Sequence, residues 1–246
     1  MNAIAVIPAR YSSRRLPGKM ILAETGKPLI QHTVESVRAA RSVERVIVAT
    51  DNEMVAGAVK AFGGEAMMTR TDHTCGTERV AEVAGRLALP DDAVVINVQG
   101  DEPEMPGECV DKLVAVMQET DAPMATLASP MTGEEAALPH MTKVVCDRSG
   151  MAMYFSRAKI PHDRDGDGGV PYLLHHGIYG YRAGFLKEFA SLPQTPAEKA
   201  EKLEQLRALE NGYRIRVALV DYRGARIDTP AEYEAFVRRV KQRRKT

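Results

Sequence analysis

Four cations crowd one short stretch: "VIPARYSSRRLPGK" places Arg10, Arg14, Arg15 and Lys19 directly after an apolar run. Arginine forks and a lysine ammonium neutralise spread anionic charge, and Gly18 lets backbone N–H groups come close to a ligand, so the loop suits a ligand with several phosphates. It matches neither the GxxxxGKS/T phosphate loop nor the GxGxxG fingerprint, and the same arginines would serve a solvated loop paired to acids elsewhere. A second candidate is Asp101 in "QGDEP". Just past a buried strand, its carboxylate is well placed to hold Mg²⁺ or simply to make the turn. Glu204 and Gln205 lie beside Leu203, Leu206 and Leu209 of a helical stretch, where they line a cleft or sit on the surface. His175 is equally a packed or solvent-facing imidazole, and Asp228 in "IDTP" equally part of the entry to a capped helix.

The elements that must position these groups follow from the pattern of apolar residues. Ile4 to Ile7, Val46 to Ala49 and Val94 to Val98 read as buried strands, with "PLIQHTVESVRAA" and "EMVAGAVKAFGG" as helices between them. This is the rhythm of a doubly wound α/β sheet, in which ligands bind outside the carboxyl ends of the strands. "PARYSSRRLPGK", "TDNE" and "QGDEP" all fall there. Further on, "KVVCD" and "GIYGY" are strand-like, "TPAEKAEKLEQLRALENG" reads as one helix stopped by Gly212, and "YRIRVALVDY" alternates like a half-buried strand. Thr229, Pro230 and Glu232 form a capping-box start for the last helix. Residues 163–171, "DRDGDGGVP", are expected to be a mobile loop.

The 246 residues are taken as a single domain, 1–246. Lysine plus arginine and aspartate plus glutamate both number 33, so no global basic field draws in nucleic acid. The run "RRVKQRRK" is expected to be a solvated helix end. No apolar run reaches membrane-spanning length and the first residues lack a signal-peptide pattern, so the expectation is a soluble cytoplasmic protein. Cys75, Cys109 and Cys146 are far apart with no CxxC spacing, which argues against a disulfide framework or a zinc site.

The cationic loop resembles the N-terminal signature of the sugar-acid cytidylyltransferases, specifically the 3-deoxy-manno-octulosonate (Kdo) cytidylyltransferase family. Eight further blocks follow in the family's order: "VATDNE", "MTRTDHTCGTERVAEV", "INVQGDEP", "MATLASP", "MYFSRAKIP", "HHGIYGYRAGFL", "KLEQLRALENG" and "IDTPAEYE". The resemblance implies a mixed, mostly parallel sheet in three α/β/α layers, of the nucleotide-diphospho-sugar transferase type, with a small sugar-binding and dimerisation lobe. It implies the reaction of CTP with Kdo to give CMP-Kdo and pyrophosphate, for lipopolysaccharide or capsule precursors, by a cytoplasmic homodimer that uses Mg²⁺.

In that scheme Arg10, Arg15 and Lys19 hold the triphosphate, with Pro8 and Ala9 beside the nucleotide and Lys19, Arg15 and Asp101 catalytic. Arg70, Gly76 and Thr77 contact the cytidine half. Gln99, Arg157, His175, Tyr179, Glu204 and Gln205 form the sugar pocket, and Asp101 and Asp228 hold the metal. The cysteines have no role. Family members usually carry a small polar residue at position 14, so Arg14 stays off the site. Met20, Cys75, His176 and the "LPHMTKVV" block also depart from the usual pattern, though none removes a ligand. Two rivals remain: a cytidylyltransferase for 8-amino-8-deoxy-Kdo or another 2-keto-3-deoxy sugar acid, and a non-catalytic nucleotide-binding module.

Overall fold

The strand β1 (Ala3–Pro8) is buried along its whole length because both of its faces are apolar. Ala3, Ala5 and Ile7 join one core cluster and Ile4 and Val6 the other, as the two-residue period of a strand requires. A computed structural model of the chain describes residues 3–13, 15–166, 168–224 and 226–243. Arg14, Asp167 of the 163–171 loop, and Arg244 and Lys245 of the C-terminal basic run lie outside the described residues.

After β1 come α1 (Leu29–Arg38), β2 (Val43–Thr50), α2 (Glu53–Ala61), β3 (Glu65–Met68), α3 (Gly76–Arg86), β4 (Val94–Asn97) and α4 (Gly107–Glu119). The middle of the chain supplies β5 (Met124–Met131), α5 (Gly133–Ala136), β6 (Lys143–Cys146), β7 (Ala152–Ser156) and β8 (Tyr172–Arg182). It ends with α6 (Ala183–Ser191), α7 (Pro196–Glu201), α8 (Gln205–Glu210), β9 (Ile215–Leu219) and α9 (Pro230–Arg243). The main path of the sheet runs β3-β2-β1-β4-β8-β5-β9, with β6 and β7 attached through β8. Strands β3, β2, β1 and β4 pair in parallel, as do β5 and β9, whereas β8 runs antiparallel between β4 and β5. The expected mixed, mostly parallel sheet is therefore present, and helices cover both faces. Ile30, Val34, Val110 and Leu113 of α1 and α4 pack on one side, and Val80, Val83, Leu186 and Phe189 of α3 and α6 on the other.

From β1 the chain steps outward to β2 and β3 on one side, then returns to place β4 on the other. That reversal leaves a crevice at the carboxyl ends of β1 and β4, the usual ligand position in such sheets. The loops carrying Arg10 to Lys19 and Gln99 to Asp101 leave from those two strand ends.

One expectation fails. Residues 195–212 form two short helices, not one, separated by Lys202 in the left-handed region at φ 55°. In a continuous helix Glu198 and Arg207 would lie about 13 Å apart along the axis. Here they meet as a buried ion pair at 2.6 Å. Glu210 also accepts from the backbone N–H groups of Ala197 and Glu198, so the end of α8 caps the start of α7. The capping box of α9 forms as the sequence predicts: Glu232 N–H donates to Thr229 Oγ1 at 3.3 Å, and Thr229 N–H donates to Glu232 Oε2 at 2.8 Å.

Candidate active site at the sheet switch point

Backbone geometry turns Lys19 inward. Gly18 has φ 66°, a left-handed conformation that side chains resist, and starts a single 3₁₀ turn over Lys19–Ile21. The ammonium is buried and donates to Asp101 Oδ2 at 2.6 Å, Asp228 Oδ1 at 2.9 Å and the Ile227 carbonyl at 3.0 Å. All three of its donors are thus engaged. The carboxylates are held from behind. Thr33 Oγ1 donates to the Gly100 carbonyl at 2.8 Å, and Ile227 N–H donates to the Asp101 carbonyl at 2.9 Å. Asp228 N–H donates to Glu232 of the capping box at 2.8 Å.

Around this cluster lies a cleft of about 270 Å³ whose walls include Pro8, Arg10, Lys19, Gly76, Gln99 and Asp101. Ala9 is fully buried beside it, its N–H donating to the Ala49 carbonyl at 2.9 Å. Arg10 donates to the His73 carbonyl at 2.8 Å, tying the first loop to the segment before α3. Arg15 is mostly exposed and reaches Asp228 Oδ2 at 2.8 Å. Burial alone would raise the Asp228 carboxyl, but the Lys19 hydrogen bond and the charges of Arg226, Lys19 and Arg15 bring it below its ordinary value. Glu102 is pushed up to about 7, first by burial and then by the Asp101 charge.

Glu204 connects a second group of side chains to the cleft. Its carboxylate accepts from Thr77 Oγ1 and from Cys75 Sγ, each at 3.0 Å, and burial raises its pKa. His175 meets Phe155 edge-on at 4.9 Å and the tilted ring of Tyr179 at 5.5 Å, with Nε2 hydrogen-bonded to Thr126 Oγ1 at 3.0 Å. Burial, and then the neighbouring His176, push its pKa down to about 3, so the imidazole is neutral. Gln205 is buried and its Nε2 has no hydrogen-bond partner among the described residues. Arg157 donates to the Glu201 carbonyl at 2.8 Å and to the Pro139 carbonyl at 3.4 Å, outside the cleft walls. Arg70 also stands apart: its exposed guanidinium pairs with Asp72 at 3.1 Å.

Three residues enter the site without having been singled out for it. Arg226 lines the cleft and places Nε 2.9 Å from Asp101 Oδ2 and 3.4 Å from Asp228 Oδ2. Cys75, given no role from sequence, lines the cleft and bonds Glu204. Glu102 is buried beside Asp101. The signal available was position alone, next to "IDTP", within "HTCGTER" and within "QGDEP" respectively.

Asp101 and Asp228 also suit a divalent cation. Asp101 Oδ1 is buried and has no hydrogen-bond partner among the described residues, and hard carboxylate oxygens are the donors Mg²⁺ prefers. No group of three or more potential ligands occurs among the described residues, so the protein would supply two carboxylates and leave the other positions to substrate and water. Among the described residues, no helix is long and apolar enough to cross a membrane.

A family model described as cytidylyltransferase matches residues 4–215. A 3-deoxy-manno-octulosonate cytidylyltransferase from Syntrophobacter fumaroxidans is 49% identical over 242 residues, 96% of each chain. The solved structure of a CMP:2-keto-3-deoxy-manno-octonic acid synthetase complexed with CTP superimposes with a TM-score of 0.94 at 43% identity, covering 99% of this chain and 100% of that one. A 4-diphosphocytidyl-2C-methyl-D-erythritol synthase shares the fold, with a TM-score of 0.65 at 15% identity and 96% of each chain covered.

Proposed function

We propose that this chain, which belongs to the cytidylyltransferase family, transfers the cytidylyl group of CTP to Kdo, releasing pyrophosphate, in the cytoplasmic supply of lipopolysaccharide or capsule precursors. The observation that carries the reading is the meeting of the cationic loop with Asp101 and Asp228 at the crevice between β1 and β4. The anomeric hydroxyl oxygen of the sugar forms a bond to the α-phosphorus and gives up its proton to solvent, while the bond from that phosphorus to the bridging oxygen breaks and pyrophosphate departs. Such a transfer calls for positioning and charge neutralisation more than for covalent chemistry by the protein.

Arg10, Arg15 and Lys19 take the triphosphate and the charge of the departing pyrophosphate, with the backbone of Pro8 and Ala9 along the nucleotide. A donor on Lys19 becomes free for phosphate only when one of its three acceptors, Asp101, Asp228 or the Ile227 carbonyl, gives up its hold on the ammonium. Asp101 and Asp228 would hold Mg²⁺, which when bound supplies Lewis-acid neutralisation of phosphate oxygens. Gly76, Thr77 and Arg70 are assigned to the cytidine half. The last requires its exposed side chain to turn from Asp72.

Gln99, Arg157, His175, Tyr179, Glu204 and Gln205 are assigned to the sugar acid. The Gln205 Nε2, without a partner among the described residues, and the neutral His175 supply polar groups for its hydroxyls. A homodimer belongs to the same reading, and Leu138, Met153 and Tyr154, all exposed, offer apolar surface to a second copy.

The test is pyrophosphate release from CTP and Mg²⁺ with Kdo and with 8-amino-8-deoxy-Kdo, each with and without chelator. The expected result is release with Kdo that chelator abolishes. Release with the amino sugar alone would move the specificity, and release with neither sugar would overturn the reading.

A further inference from the structure

Three cations sit on two carboxylates. Asp101 Oδ2 is shared by Lys19 at 2.6 Å and Arg226 at 2.9 Å. Asp228 meets Lys19 at 2.9 Å through Oδ1, and Arg15 at 2.8 Å and Arg226 at 3.4 Å through Oδ2. Three cations outweigh the two carboxylates in charge, so a dication approaching the pair meets repulsion until a resident cation leaves, although Asp101 Oδ1 is open to it. The three residents are not equally held. Lys19 is buried and hydrogen-bonded by all its donors. Among the described residues, Arg15 is ion-paired with Asp228 alone. Arg226 contacts both carboxylates while its side chain is 55% exposed, and it sits on the stretch between β9 and α9, outside any helix or strand. It can swing out without unpacking the core, whereas Lys19 cannot.

We propose that Arg226 is a resident counter-ion of the Asp101 and Asp228 pair, displaced when a divalent cation binds there, so that this arginine sets the metal affinity of the site. The inference rests on the assignment of those two aspartates as metal ligands. In the substrate-free protein Arg226 holds the carboxylates together against their mutual repulsion. Once displaced from the carboxylates, its guanidinium remains in the cleft wall. Arg226 is a positioning residue and touches no reacting atom.

The experiment titrates Mn²⁺ into the nucleotide-free chain and reads free Mn²⁺ by electron paramagnetic resonance. The parent is compared with Arg226→Gln, with Arg226→Met, which keeps an apolar stem, and with Arg226→Lys, which keeps the charge. Both neutral variants are expected to bind Mn²⁺ roughly tenfold more tightly, equivalent to about 1.4 kcal/mol, and Arg226→Lys to stay within about threefold of the parent. Thermal melts with and without Mn²⁺ establish that each variant folds. Neutral variants that melt at lower temperature without metal, and regain more than the parent when it is added, support the assignment. Equal or weaker binding in a folded neutral variant overturns it, as does the absence of Mn²⁺ binding in every chain. Pyrophosphate release by the parent, measured on the same preparation, keeps the two questions apart. Activity with no affinity change overturns only the role of Arg226, and an affinity change without activity overturns only the transferase reading.

Discussion

Replacing Lys19 by Met removes one ammonium and the three hydrogen bonds it donates to Asp101, Asp228 and the Ile227 carbonyl, while keeping a stem of similar volume. Breaking a buried ion pair from one side costs roughly 3–5 kcal/mol, because the partner charge stays behind. Asp101 is 4% exposed, yet it keeps Arg226, and Asp228 keeps Arg15, which puts the loss at the lower end, about 3 kcal/mol. For a chain of this size each kcal/mol moves the melting temperature by roughly 2–4 °C, so the variant should melt about 6–12 °C below the parent. The vacated space between the carboxylates then favours a cation. Mg²⁺ at about ten times its dissociation constant should return about 1.4 kcal/mol, or roughly 3–6 °C, a larger gain than in the parent. Pyrophosphate release should fall by at least about 100-fold, as expected when a charge-stabilising group is lost. Differential scanning calorimetry with and without Mg²⁺ makes the measurement. A melting temperature within about 2 °C of the parent, or no extra gain from Mg²⁺, would refute the view that Lys19 fills the space between two metal-binding carboxylates.

Arg157→Ala should raise the KM for Kdo by about tenfold or more, the loss expected of a charge-assisted hydrogen bond, and leave the KM for CTP unchanged; unaltered Kdo dependence would remove Arg157 from the sugar pocket. Burial depresses His175 to about 3, and His176, bonded to Ser129 at 2.8 Å, to about 4. Each is neutral in the folded chain while its unfolded counterpart takes a proton below about 6.5. Their stability contribution is therefore intact above the unfolded pKa and is lost as pH falls toward the folded one. Each histidine contributes a slope of up to about 1.4 kcal/mol per pH unit. His176→Gln should remove one of these two contributions between pH 6 and 4.5, read from urea melts, and an unchanged slope would contradict the burial argument.

Much of this architecture was legible because its signals are local. The apolar run of β1, the Thr229 capping box and the three peptides at strand ends each follow from residues within a few positions of one another. What lay beyond reach depends on distant partners. Lys19 meets carboxylates 82 and 209 positions away, and only the strand order brings them together. The break between α7 and α8 comes from the buried Glu198 and Arg207 pair, which overrides a helical pattern. Arg226 reads as one more charge in a polar stretch until the fold sets it on Asp101. Conversely, Arg70 sits inside a motif that enters the site, but its side chain faces Asp72 and solvent.

In the proposed reaction Asp101, at the carboxyl end of β4, holds the metal on which cytidylyl transfer depends. Asp101→Asn keeps the shape and removes the charge, so pyrophosphate release from CTP and Kdo at saturating Mg²⁺ tests it most directly, with a melting curve to establish that the variant is folded. The expected result is a folded protein whose release falls by at least about 100-fold; a folded Asp101→Asn chain working at near the parental rate would rule out the metal role of Asp101.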